Sequence, residues 1–173
     1  KKAGCWSIMI GAESGDPQVL KDLKKGIEVE DLANLAAWCE EVGIASRPSF
    51  ILGTPTDTPE SIRRTIEFAV NGRFHFPYFQ LYVPLPGTEM FRTLSQHGQV
   101  LVKDRRQMAA AQVNYVPQGL DREFLAGAFR LTNVLLHALN ALLIFAFARR
   151  IGGLAPLGAA VAGVTFAIHP LAT

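Results

Sequence analysis

Apolar residues fall in short unbroken runs and in helical stripes along residues 1–98, and the two kinds of pattern alternate. The run around Trp6–Gly11 has the length of a buried strand. It is followed by Asp16 and Pro17, suited to the N-cap and first turn of a helix over Pro17–Lys25 that would bury Val19, Leu20 and Leu23 and stop at Gly26. A second helical stripe, Val29, Leu32, Ala33, Ala36, Cys39 and Val42, ends at Gly43. A strand through Phe50–Leu52 reaches Gly53, and Thr58-Pro59 opens a helix with Ile62, Ile66, Ala69 and Val70 on one face. The third strand, Tyr78–Val83, ends at Pro84-Leu85-Pro86-Gly87, and Thr88 caps a helix that stops at Gly98. Strand and helix alternating with short links predict parallel strands with right-handed crossovers, so the expected class is α/β. Pro48 is the local objection, because it has no N–H for a ladder and belongs at a strand's start.

Charge divides the chain differently. Of its 32 formally charged side chains, 30 fall in residues 1–130, and only Arg149 and Arg150 follow. The net charge of +2 gives no argument for nucleic acid as a partner. From Leu131 to Ala148 there are 18 uncharged residues, and a second apolar stretch follows Arg150. These lengths predict two membrane-spanning helices, about 131–148 and 154–170, with Gly152-Gly153 in the bend and Gly158, Ala159, Ala162 and Gly163 allowing close approach. Asn133, His137 and Asn140 would share one face of the first. The expected organisation is therefore a partial (β/α) barrel over 1–98, a post-barrel segment over 99–130 and a hydrophobic two-helix, transmembrane-like tail over 131–173. The tail would make the protein membrane-associated, with residues 1–130 expected on the cytoplasmic side.

Candidate chemistry gathers where the strands end. "GAESGDP" places Glu13 and Ser14 at the carboxyl end of the first strand, where α/β folds hold their ligands. The alternative is a solvated loop with an extra helix cap. Ile51 and Gly53 occupy the corresponding end of the second strand, and glycine permits close backbone approach. The two cysteines, Cys5 and Cys39, are 34 residues apart and lack neighbours at metal-ligand spacing, so they read as ordinary reduced residues.

The three strand-end loops, "GAESGDP", "ILGTPTDTPE" and "PLPGTEMF", resemble the later half of the barrel of radical S-adenosylmethionine enzymes, in the branch that often carries a cobalamin-binding domain. The family pattern G-x-E-S-G is met at Gly11, Glu13, Ser14 and Gly15. Its I-L-G-x-P-x-E-T is met at Ile51, Leu52, Gly53, Pro55 and Thr58, and its P-x-P-G-T at Pro84, Pro86, Gly87 and Thr88. The sequence departs at Asp57, where glutamate is usual, and at Thr56, where glycine is common. The resemblance implies binding of S-adenosylmethionine by Glu13, Ser14, Ile51 and Gly53, and its reductive cleavage by a [4Fe–4S] cluster to a 5′-deoxyadenosyl radical. The implied cluster needs three closely spaced cysteines on an earlier strand, which these residues do not contain. The expectation is a fragment of such an enzyme, inactive by itself, acting on a small-molecule or lipid-like substrate.

The tail, "RLTNVLLHALNALLIFAFARR" followed by "GAAVAGVTFAIHP", resembles a transmembrane pair of tetratricopeptide-containing membrane glycosyltransferases, through Asn133, His137, Asn140, His169 and Pro170. Arg149-Arg150 would then face the cytoplasm and conflict with a cytoplasmic residue 1–130 region. Two explanations are consistent with the sequence, a membrane-tethered protein and a chain joined from two unrelated coding segments. The alternative functions are a fragment of a membrane glycosyltransferase and a membrane-anchored, non-catalytic α/β module.

Overall fold

The computed structural model describes residues 2–150 and 152–168. The chain divides into two compact units, Lys1–Phe129 and Arg130–Thr173. In the first, β1 (Ser7–Glu13), β2 (Ala45–Leu52) and β3 (Tyr78–Leu81) form a parallel sheet in that order. Two helices, α1 (Pro17–Asp22) and α2 (Val29–Val42), make the first crossover, and α3 (Pro59–Asn71) makes the second. After β3 come α4 (Glu89–His97) and a small antiparallel pair, β4 (Gly98–Val100) with β5 (Tyr115–Pro117).

The local signals act as their chemistry requires. Asp16 accepts from the amides of Gln18 and Val19, Thr58 caps α3 from before Pro59, and Thr88 accepts from the Phe91 amide. Gly43, at φ 68°, closes α2. Buried Ser46, Pro48, Phe50 and Leu52 of β2 alternate with half-buried Ala45, Arg47 and Ile51, Ser49 being the buried exception, so one face of the strand is more deeply covered than the other. On the helix side Phe50 is the hub, 6.2 Å from Phe68, 5.9 Å from Phe74 and 5.5 Å from Phe79 between ring centroids. Full burial of such a side chain contributes about 1.5–3 kcal/mol. Val42 and Val70, counted on the apolar stripes, are exposed at the ends of their helices.

Pro48 sits inside the central strand, paired with Ile10, and not at a strand's start. Ala45 donates toward β1, to Trp6 O, while Ser46 O accepts from His75 and Phe76 on the β3 side. Alternation then turns Pro48 toward β3, whose pairing begins only at Ser49 with Tyr78. The missing N–H thus faces a stretch where no ladder has started.

The second unit overturns the transmembrane expectation. Helix α5 (Arg122–Arg150) begins well before residue 131, and α6 is Pro156–Ile168. Among the described residues no helix is long and apolar enough to cross a membrane. The 13 residues of α6 rise only about 20 Å, against a hydrocarbon core of about 30 Å. In α5 the polar residues Asn133, His137 and Asn140 interrupt the apolar run, and charged residues bracket it. This contradicts the expected transmembrane tail and the membrane association inferred from it. The two helices do approach closely, since a Cβ on Gly163 would lie 3.1 Å from Ala141 O and 3.4 Å from the Phe145 Cβ. The side chains of His137 and Asn140, and all of His169 and Pro170, lie outside the described residues.

Candidate functional site

The carboxyl end of β1 is built around a strained residue. Register with β2 shifts between Gly11 and Glu13, leaving Ala12 as an extra residue, and Glu13 adopts φ 63°. The Ser14 amide donates to Ala12 O at 2.8 Å, closing a three-residue turn centred on Glu13. With a positive central φ this is the rarer, strained form of that turn. Such strain at a non-glycine residue costs on the order of 1–2 kcal/mol and persists where neighbours enforce it.

The neighbours are specific. The Ser14 hydroxyl is buried, 2.9 Å from Thr65 Oγ1 of α3, and accepts from the Asp16 amide at 3.0 Å. Gly15 donates to Thr65 Oγ1, and a Cβ at Gly15 would lie 2.6 Å from that of Phe68, so the loop lies flat on α3. Asp16 adds an ion pair with Arg64 Nε at 2.9 Å. Ser14 is therefore engaged inside the fold, holding the turn that presents Glu13.

Glu13 itself points back over Gly11. Its Oε1 lies 2.7 Å from Lys25 Nζ, and a Cβ at Gly11 would come within 2.7 Å of that oxygen and 3.0 Å of that nitrogen. Lys25 arrives there because α1 ends earlier than the periodicity predicts, at Asp22. Lys24 takes the left-handed conformation, φ 54°, and the Lys25 amide donates to Leu20 O, a Schellman-type closure that aims the next side chain backward. The Glu13 side chain is 20% exposed and that of Lys25 33%, so the pair remains reachable from solvent.

At the end of β2, half-buried Ile51 pairs with Gln80 on the face away from the helices. Gly53 turns the chain with φ 84°, and a Cβ on it would lie 3.2 Å from Leu125 Cδ2, at the start of α5. One side of Gly53 is thus already covered by protein. The loop beyond it is organised by Asp57, which is buried. Gly53 N–H, Thr54 N–H and the Thr54 hydroxyl all donate to its Oδ2, at 3.0, 2.8 and 2.9 Å, and the Ser61 hydroxyl donates to Oδ1 at 2.6 Å. Burial pushes the Asp57 carboxyl up from its ordinary value, against the lowering effect of these donors.

Beyond β3, Asn114 is fully buried and ties the 109–114 segment to the sheet. Its Nδ2 donates to Tyr82 O at 3.2 Å and Ala109 O at 2.8 Å, while the Leu81 amide donates to Ala110 O at 2.7 Å. Burial, and then neighbouring Tyr82, push the Tyr115 phenol up to about 12, and it donates to Leu94 O. It serves as a structural donor.

The structure therefore brings Glu13, Lys25 and the ends of β1 and β2 together and turns Ser14 inward. Sequence reasoning missed Lys25, Thr65, Leu125 and the organising role of Asp57. The Lys24-Lys25-Gly26 run after a short helix was the available signal for Lys25. Partners of Asp57 could be suspected only from Ser61 four residues on, within reach once α3 forms. Among the described residues no group of three His, Cys, Asp or Glu could hold a metal ion, and Cys5 is exposed while Cys39 is buried in α2. The residues present do not fit a [4Fe–4S] cluster.

No family model matches the chain. It is 31% identical over 91 residues to an uncharacterized methyltransferase of Pyrococcus horikoshii, covering 53% of this chain and 20% of that protein. It is 32% identical over 94 residues to the bacteriochlorophyllide d C-12(1)-methyltransferase of Chlorobaculum tepidum, covering 54% and 21%. To the tRNA-2-methylthio-N(6)-dimethylallyladenosine synthase of Herpetosiphon aurantiacus it is 31% identical over 84 residues, covering 47% and 19%. About half of the chain is thus similar to methyltransferases and methylthiotransferases, and it spans about one fifth of the length of these curated relatives. Nothing in these comparisons supports a likeness of the tail to membrane glycosyltransferases.

Proposed function

We propose that residues 1–130 form the S-adenosylmethionine-binding end of a radical S-adenosylmethionine enzyme that transfers a methyl or methylthio group. The observation that carries this reading is the Glu13–Lys25 pair, held at a strand end by a strained turn and still open to solvent. A carboxylate beside an ammonium complements the zwitterionic amino-acid end of S-adenosylmethionine, with Glu13 toward the ligand ammonium and Lys25 toward its carboxylate. Ile51 and the backbone at Gly53 supply an apolar strip at the next strand end for the adenine face. Ser14 acts beneath them by fixing the turn. S-adenosylmethionine supplies an activated sulfonium, the source of a methyl or 5′-deoxyadenosyl group. Among the described residues there is no ligand set for an iron–sulfur cluster. The methyl and methylthio chemistry named for the relatives agrees with this reading.

Titration of S-adenosylmethionine into the full-length protein by calorimetry tests it. A charge-assisted contact contributes about 1.5–3 kcal/mol, so Glu13→Gln is expected to weaken binding by roughly tenfold or more. Equal affinities for the variant and the parent would sink the proposal.

A further inference from the structure

We infer that Asp57 is a positioning residue for this ligand site, its carboxylate acting as the internal template that sets the β2 end for binding; the inference rests on the function proposed above. The geometry is that of one anion satisfied by its own loop and the first turn of α3. Two successive amides, Gly53 and Thr54, and two hydroxyls, Thr54 and Ser61, converge on it within 2.6–3.0 Å. The Asp57 amide in turn donates to Thr54 O at 3.0 Å, so the segment is closed in both directions.

Three consequences follow for the site. Gly53 takes φ 84° with its amide donating to the Asp57 carboxylate at 3.0 Å, a conformation glycine adopts without strain. The amides of Gly53 and Thr54 are turned inward, so the direction in which this loop offers its backbone to a ligand is decided by a residue that itself stays buried. The Ser61 bond links the loop to the first turn of α3, the helix whose Thr65 holds Ser14. One element thereby registers both strand ends against each other, Asp57 through Ser61 and the Glu13 turn through Thr65. Aspartate reaches these donors from its own loop, and a glutamate would do so with one more methylene of slack.

The test uses the full-length protein, S-adenosylmethionine as the probe, and four variants measured under conditions where each keeps the parent's circular dichroism. Asp57→Asn keeps the shape but replaces one acceptor oxygen with a donor. It is expected to weaken binding about tenfold and to speed amide hydrogen exchange at Gly53 and Thr54. Asp57→Glu restores the carboxylate and should bind within about threefold of the parent. Thr54→Val removes a single donor at nearly constant volume and serves if Asp57→Asn does not fold, with a few-fold loss expected. Glu13→Gln reports on the site itself. Weakened binding in Glu13→Gln alongside parent-like affinity in Asp57→Asn, or in Thr54→Val, overturns the role of Asp57 and leaves the site intact. A faster exchange at Gly53 and Thr54 with unchanged affinity also overturns it, since the bonds would then be structural only. Parent-like affinity in Glu13→Gln and Asp57→Asn together overturns the site and this inference with it.

Discussion

The two strand-end loops of the sheet use a carboxylate in opposite ways. After β1, Glu13 is turned outward by a positive φ and meets a single cation, Lys25, in reach of solvent. After β2, Asp57 is turned inward and meets four donors of its own loop and helix, with almost no exposure. Two acidic residues at equivalent ends of neighbouring strands would look alike in a sequence. Their surroundings separate them, because the first keeps bonding capacity for a ligand and the second has none left over. Strain is distributed to match, since the outward carboxylate sits on a conformation that costs energy and the inward one lets a glycine bear the positive φ.

The largest effect should come from breaking the inward loop. Asp57→Ala leaves two amides and two hydroxyls without their acceptor in a buried place, and is expected to cost about 3 kcal/mol in urea unfolding. A loss below about 1 kcal/mol would mean that water replaces the carboxylate and that the contrast between the loops is overstated.

The outward loop should respond with the opposite sign. Glu13→Gly removes the penalty of a positive φ, so stability should hold or rise by up to about 1 kcal/mol even though a partly exposed ion pair is lost. Affinity for S-adenosylmethionine should fall by more than about tenfold in the same variant. A clear drop in unfolding midpoint would show that Glu13 is held for stability and not for a ligand.

The smallest effect is a pH dependence that sharpens the comparison. Because burial raises the Asp57 carboxyl above its ordinary 3.8, the folded chain binds this proton more tightly than the unfolded chain. Its contribution to stability is then fully present below 3.8 and is lost as pH rises through the raised value. The difference in thermal midpoint between the parent and Asp57→Asn should therefore shift in favour of the variant over that interval. A difference that does not change with pH would reject the shift.

Much of the fold around the site was legible because it depends on contacts within a few residues. Asp16 before Pro17, Thr58 before Pro59 and Thr88 before Glu89 each satisfy helix amides from the neighbouring position, and Gly43 closes α2 by its own conformation. The three parallel strands followed from the alternation of apolar runs and stripes. The tail was misjudged because apolar length alone does not specify a membrane span. Helix α5 starts at Arg122, and α6 covers 13 of the described residues, Pro156–Ile168.

What the sequence by itself determined is the order of the three parallel strands and the helices between them and the placing of Glu13 and Gly53 at strand ends, since caps, periodicity and turn residues act locally. Only the tertiary structure decided which polar groups are spent and which remain. Ser14 was drawn inward by Thr65, 51 residues away, Lys25 was swung back onto Glu13 across Gly11, and Leu125 was laid against Gly53. The Ser14 and Leu125 outcomes depend on distances between elements that no local rule encodes, and that of Lys25 on where a locally closed helix end meets β1. A hydroxyl or carboxylate bonds whichever partner the packed chain brings within about 3 Å.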